Sequence, residues 1–245
     1  MKRSFTIKEE ALVRKRQLLL QEIEAEVGYT QHYLGKKTLS PRVMAAMEAV
    51  PRHEFVSDNM QSFAYCNEPL PIGHGQTISQ PYIVAIMTDL IDPQADHKVL
   101  DVGTGSGYQA AVLSQLVDTV YSVEIIDALT HNAQTVFEKL AYHNIQLKTG
   151  DGSLGWPEHG PYDGIVVAAA APMVPPALVE QLKPGGKLIL PIGQAYHAQE
   201  LVLIEKQHDG MIKTRNVLPV SFVPLITNFD ISDVNKNNSN RDSFL

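Results

Sequence analysis

One cysteine, Cys66, stands among 245 residues, so no disulfide can form within the chain and nothing argues for an oxidising compartment. No histidine or acid pattern surrounds that thiol, which reads as a buried or incidental side chain rather than a nucleophile. Long apolar runs are missing too. The longest near the N-terminus is Leu18-Leu19-Leu20, too short for a signal-peptide core, and nowhere do about 18 apolar residues follow one another as a membrane helix requires. Charge is sparse at 19% of residues, and its balance of -7 disfavours broad binding to a phosphate backbone. The nine histidines include no H-E-x-x-H or comparable ligand set, so no metal is expected. These absences predict a cytoplasmic protein with no membrane segment and no nucleic-acid partner.

What is present suffices for a sizeable core, since 44% of residues are hydrophobic. Ile7 to Val27 has a loose helical periodicity through Leu12, Leu19 and Ile23, and predicts an N-terminal helical extension over residues 1–39. The basic residues at its start, among them Lys8, Arg14, Lys15 and Arg16, read as a solvated helix face. In "SPRVMAAMEAV", Ser40 is a candidate N-cap with Pro41 at the first helical position, and Val43, Met44, Met47 and Val50 share one side. Pro51 to Gln76 is punctuated by Pro51, Pro69, Pro71, Gly73 and Gly75, and is expected to be mostly loop. "PYIVAIMTDLI" then returns to a helix.

From Lys98 onward, short runs rich in Val, Ile and Leu alternate with longer helical stretches. Continuous apolar strands separated by helices predict an α/β fold with a doubly wound, mainly parallel sheet, occupying a domain over 40–230. Residues 231–245 are polar and are expected to form a disordered tail.

The strongest chemical feature is "VLDVGTGSGY", which places Gly103, Gly105 and Gly107 in the turn leaving the first strand of that sheet. Ligands bind outside the carboxyl ends of such strands, and glycine lets them approach the backbone. A dinucleotide site wants G-x-G-x-x-G, yet Tyr108 occupies the place of its third glycine. Asp101 precedes the turn, and D-x-G-x-G-x-G is the pattern of S-adenosylmethionine-dependent methyltransferases. Glu124, ending the second strand, can accept hydrogen bonds from two ribose hydroxyls. Asp151, after the third, is a candidate acceptor for an adenine amino group or a plain turn residue. All three acids fall at one edge of one sheet.

"LPIGHGQTISQPYIVAIMT" followed by "VLDVGTGSGYQAAVL" resembles the bacterial branch of the protein-L-isoaspartate O-methyltransferase family. "AMEAVPRHEFV", "GDGSLGWPEHGPYDGIVVAAAAP" and "FVPLI" extend the similarity over about 40–228. The resemblance implies a Rossmann-like methyltransferase fold and a repair enzyme. Such an enzyme methylates the abnormal carboxyl group of L-isoaspartyl residues in aged proteins and leaves S-adenosylhomocysteine. It further implies Ser79 as the active-site serine, with Thr77 in the same loop beside the cofactor. Cofactor contacts would come from Asp101, Gly103, Thr104, Gly105, Glu124, Gly150, Asp151 and Gly152. Ile78 and Val223 are candidates for the peptide site, Ile226 stands where relatives often carry a polar residue, and monomer is the default state.

Ser79 has two readings from sequence alone. It precedes Gln80-Pro81 and could cap the helix that begins there, or its hydroxyl could hold a substrate carboxylate. His74 in the same loop is either a substrate contact or a solvated histidine, and Glu24 and Glu26 need no catalytic role. Two rival functions remain open: a methyltransferase with a small-molecule or nucleic-acid acceptor, and a non-enzymatic adenosine-binding module.

Overall fold

The structure, a computed structural model, describes residues 7–194 and 197–228; the expected tail over 231–245 lies outside them. Nine strands and six α-helices are described. A small antiparallel hairpin pairs β1 (Leu70–Gly73) with β2 (Gln76–Ile78). The remaining strands form one seven-stranded sheet: β3 (Lys98–Val102), β4 (Thr119–Glu124), β5 (Ile145–Thr149), β6 (Tyr162–Val167), β7 (Leu182–Ile192), β8 (Gln199–Lys206) and β9 (Ile212–Val220).

Their order is β5-β4-β3-β6-β7-β8-β9. The first five are parallel, and β8 and β9 add antiparallel at one edge. The chain steps outward from β3 in both directions, so the loop after β3 opens at a topological switch point, where open α/β sheets bind ligands.

Alternation along each strand divides the sheet's side chains between two buried layers. Val99, Val120, Val166 and Ile189 face one layer, while Leu100, Val102, Ile165 and Leu188 face the other. The first layer is closed by α1 (Ile7–Leu34), α2 (Pro41–Ala49), α3 (Pro81–Leu90) and α4 (Tyr108–Ser114), and by Ala133 and Phe137 of α5 (Asp127–Lys139). The second is closed by Leu178 of α6 (Pro176–Glu180) and by Trp156. Every residue of α3 except Ile83 is buried, which explains why its sequence is apolar apart from Thr88 and Asp89.

α1 runs through Gly28 and seven residues beyond the expected end. Leu19, Ile23, Val27 and Leu34 join the same buried layer as α2 to α4. Arg16 fixes the helix further, donating from Nη1 to the Glu48 carbonyl at 2.6 Å and from Nη2 to the Tyr65 hydroxyl at 3.0 Å.

Three local expectations change. Ser40 occupies the N-cap position of α2, but its hydroxyl makes no capping bond; its backbone N–H donates to Asp89 Oδ1 at 2.7 Å. The stretch expected to be mostly loop contains the hairpin and two short 3-10 turns, Arg52–Phe55 and Asp58–Phe63. Cys66 is exposed.

Candidate active site

The glycine turn after β3 is held from below by the neighbouring strand. Gly103 N–H donates to the Val123 carbonyl at 2.9 Å, and Gly107 N–H closes the turn onto the Thr104 carbonyl at 2.8 Å. Gly107 has a φ of 88°, and a Cβ there would lie 2.6 Å from Cζ of Phe137 in α5. That position therefore requires glycine for both conformation and helix packing.

Glu124, at the end of β4, ties the turn to the next loop. Its Oε2 accepts from Gly105 N–H at 2.8 Å and its Oε1 from Ile126 N–H at 3.0 Å. Each carboxylate oxygen keeps a lone pair, so two further hydroxyl donors can be accepted.

Asp101 lies underneath, wholly buried. Its Oδ2 accepts from Ser122 Oγ at 2.7 Å, and Ser122 Oγ also lies 2.6 Å from Thr104 Oγ1. Its Oδ1 has no partner among the described residues. Burial, with the Glu124 charge adding to it and the Ser122 hydrogen bond opposing, pushes the Asp101 carboxyl up to about 7.

Asp151 is similarly engaged by the fold. Its Oδ1 accepts from Ser153 N–H at 2.9 Å and Ser153 Oγ at 2.6 Å, and its Oδ2 accepts from Asn228 N–H at 2.8 Å.

Two cavities meet in front of this turn. The first holds about 690 Å³ of empty space, open to solvent, and is lined by Gly103, Thr104, Gly105, Glu124 and Gly152, with Ile125 and Ile126 as its apolar wall. The second holds about 1010 Å³ and is lined by residues including Glu26, Tyr82, Phe222 and Val223. Thr77, Ser79, Ala168 and Val223 line both. The β1–β2 hairpin brings Thr77 and Ser79 there and lies over the glycine turn, where a Cβ on Gly105 would sit 3.5 Å from Ile72 Cδ1.

Ser79 is not a cap. The N-cap position of α3 belongs to Gln80, which makes no side-chain capping bond, and the orphan N–H of Tyr82 is met by Asn67 Oδ1 at 2.9 Å. The Ser79 hydroxyl has no hydrogen-bond partner among the described residues and is half-buried at the junction of the two cavities. It is available to a ligand.

The structure thus gathers Ser79, Thr77, Gly103, Thr104, Gly105, Glu124 and Gly152 along one cleft. Asp101, Gly150 and Asp151 do not line it. Asp101 supports the turn from beneath, Gly150 donates to the Glu124 carbonyl at 2.8 Å, and Asp151 caps its own 3-10 turn. A buried acid and a cleft acid share the same place at a strand end, so sequence position alone does not separate the two for Asp101 and Asp151.

Ile78 reaches the cleft but is only 2% exposed, so it contributes to the core more than to a contact surface. Val223 gives its carbonyl to Ala170 N–H at 2.8 Å. His74, with a φ of 54°, sits exposed at the hairpin tip and lines neither cavity. Residues given no site role by sequence include Ile226, which lines the first cavity, and Glu26, which lines the second. Ile125 and Ile126 could have been found from their place directly after Glu124; nothing in the sequence of α1 marks Glu26.

A family model described as protein-L-isoaspartate(D-aspartate) O-methyltransferase matches residues 31–230. A relative from Syntrophobacter fumaroxidans named protein-L-isoaspartate O-methyltransferase 2 is 54% identical over 207 residues, covering 84% of this chain and 84% of its own. Among solved structures, one named protein-L-isoaspartate O-methyltransferase is 29% identical with a TM-score of 0.76, over 87% of this chain; this chain spans 66% of that one. A Plasmodium falciparum protein-L-isoaspartate O-methyltransferase beta-aspartate methyltransferase, in complex with S-adenosyl-L-homocysteine, is 26% identical with a TM-score of 0.67, over 77% of this chain and 92% of its own.

Proposed function

Since the chain belongs to the protein-L-isoaspartate(D-aspartate) O-methyltransferase family, we propose that its first cavity holds S-adenosylmethionine, its second receives the isoaspartyl peptide, and Ser79 orients the acceptor between them. The enzyme transfers a methyl group from S-adenosylmethionine to the free carboxyl of L-isoaspartyl residues in damaged proteins, giving a methyl ester and S-adenosylhomocysteine. The single observation that carries the residue assignment is the position of Ser79, lining both cavities with its hydroxyl uncommitted.

The donor set fits the nucleoside. Glu124 offers two oxygens, already aimed by Gly105 and Ile126, to the ribose hydroxyls, and Ile125 and Ile126 supply an apolar wall for the base. When bound, S-adenosylmethionine supplies an electrophilic methyl group on a sulfonium. The glycine turn, with Glu124 beside it, fixes where that ligand lies.

No strong base is required of the protein. An isoaspartyl carboxyl ionises near ~4, so it arrives as a carboxylate nucleophile at neutral pH. What the chain must do is align and exclude water. The Ser79 hydroxyl donates to one carboxylate oxygen and leaves the other directed to the first cavity. Thr77 and Ala168, on the shared wall, narrow the junction against solvent. We assign Val223 to the peptide side, where its N–H makes no bond among the described residues. Ile78 has the smaller role of shaping the loop that carries Ser79.

Among the described residues, the one charged side chain lining the second cavity is an acid, which supports a peptide acceptor over a polyanionic nucleic acid. The working form we propose is a cytoplasmic monomer with 40–230 as the catalytic unit; Leu19, Ile23, Val27 and Leu34 of α1 bury on their own chain, while Val13, Leu18, Tyr29 and Tyr33 are exposed. No described helix is long and apolar enough to cross a membrane.

The test is transfer of label from S-adenosylmethionine to two peptides that differ only in L-isoaspartate or L-aspartate at one position. Base-labile label on the isoaspartyl peptide alone supports the reading; label on both peptides or neither contradicts it.

A further inference from the structure

Glu26 lies in α1, upstream of the region matched by the family model, yet its side chain reaches the second cavity. Among the described residues lining that cavity it alone is charged. Its Oε2 accepts from Asn67 Nδ2 at 2.6 Å, and Gln80 Nε2, adjacent to Ser79, lies 3.4 Å from Oε2 and 3.5 Å from Oε1. No lysine, arginine or histidine pairs with it among the described residues.

A half-buried carboxylate held only by two neutral amides is costly in the free enzyme, and a cation arriving with the substrate would offset that cost. Burial is the largest cause raising the Glu26 carboxyl above its ordinary value, and Glu22 adds to it; the Asn67 and Gln80 hydrogen bonds oppose. The neighbouring Tyr82 hydroxyl, 2.6 Å from Thr30 Oγ1, supplies no positive charge.

We infer that Glu26 is a specificity-determining residue, forming a subsite of the acceptor cavity that takes a lysine or arginine side chain flanking the isoaspartyl residue and disfavours an acidic one. The inference rests on the second cavity being the peptide site. The acceptor carboxylate goes to Ser79, and the flanking cation goes to Glu26, which reaches the cavity from α1 beside Gln80, the residue that follows Ser79.

The experiment compares isoaspartyl peptides carrying lysine or glutamate one or two residues to either side of the isoaspartate, with an aspartyl peptide as the blank. At one placement at least, the wild-type enzyme should favour lysine over glutamate by about threefold to fivefold in kcat/KM, a ratio expected of a partly exposed ion pair. The difference should lie in KM. Glu26→Gln keeps an oxygen for Asn67 and removes the charge, so the ratio should fall towards one. Glu24→Gln, the same change of net charge on an exposed position of α1, should leave it intact.

The wild-type ratio should also shrink as salt is raised to about 0.5 M, a reading that needs no variant to fold. No charge preference at any placement, a preference that survives Glu26→Gln, or one indifferent to salt would overturn the inference while leaving isoaspartyl methylation standing. No transfer to any isoaspartyl peptide would sink the functional reading, and this inference with it.

Discussion

Asn67, fifteen residues upstream in a different part of the chain, caps α3 by accepting the Tyr82 N–H at 2.9 Å. Its amide nitrogen is in turn held by Glu26. Asn67→Ala should therefore cost about 1 kcal/mol of stability, as loss of a helix cap does. Chemical denaturation of the two proteins side by side checks this, and an unchanged midpoint would show the cap to be idle.

Gly107→Ala should be among the most damaging changes in the turn. A left-handed φ of 88° and a Cβ 2.6 Å from the Phe137 ring act together, for about 2–4 kcal/mol. The same denaturation measurement reads it. Gly103→Ala shares the positive φ but meets nothing closer than 3.8 Å, so it should cost less.

Glu124→Gln removes one of two acceptor oxygens and sets an N–H donor against the N–H of Gly105 or Ile126. Hydrogen bonds to a charged group contribute about 1.5–3 kcal/mol, so the Kd for S-adenosylmethionine should rise roughly 10- to 100-fold. Titration calorimetry measures it directly.

The hidden part of the turn predicts a pH effect. The Asp101 carboxyl titrates near 7 in the fold and near its ordinary value of 3.8 when unfolded. Between those values the folded state holds the extra proton, so this group's contribution to stability is full below about 4 and declines as pH rises to about 7. Asp101→Asn, which stays neutral, should gain on the wild type across that window by at least about 1 kcal/mol. Denaturation midpoints taken at intervals from pH 5 to pH 8 would show the two curves converging or separating.

The parallel strands were legible because short runs rich in Val, Ile and Leu, such as "KVLDV" and "GIVV", alternate with helical stretches and suit burial on both faces of a sheet. The glycine turn was legible for a similar reason: its spacing is constrained by close approach. β1 was hidden by Pro71 and the glycines around it, which punctuate a hairpin as readily as a loop. The helical pattern read to Val27 continues through Gly28 because Leu34, further along α1, has a buried place to fill. Asp101 and Asp151 sit where cleft acids sit, and only three-dimensional contacts show their oxygens turned into the fold. Glu26 was invisible for the opposite reason: one acid among several on an amphipathic helix gains a role only from what α1 packs against.

Ser79→Ala tests the central claim most directly, with methyl transfer to an isoaspartyl peptide, S-adenosylmethionine affinity and denaturation measured on the same preparation. An orienting donor predicts a loss of roughly 10- to 100-fold in transfer rate, the scale of one positioned hydrogen-bond donor, with cofactor Kd and stability unchanged. Transfer at the wild-type rate would contradict the account, whatever happened to stability.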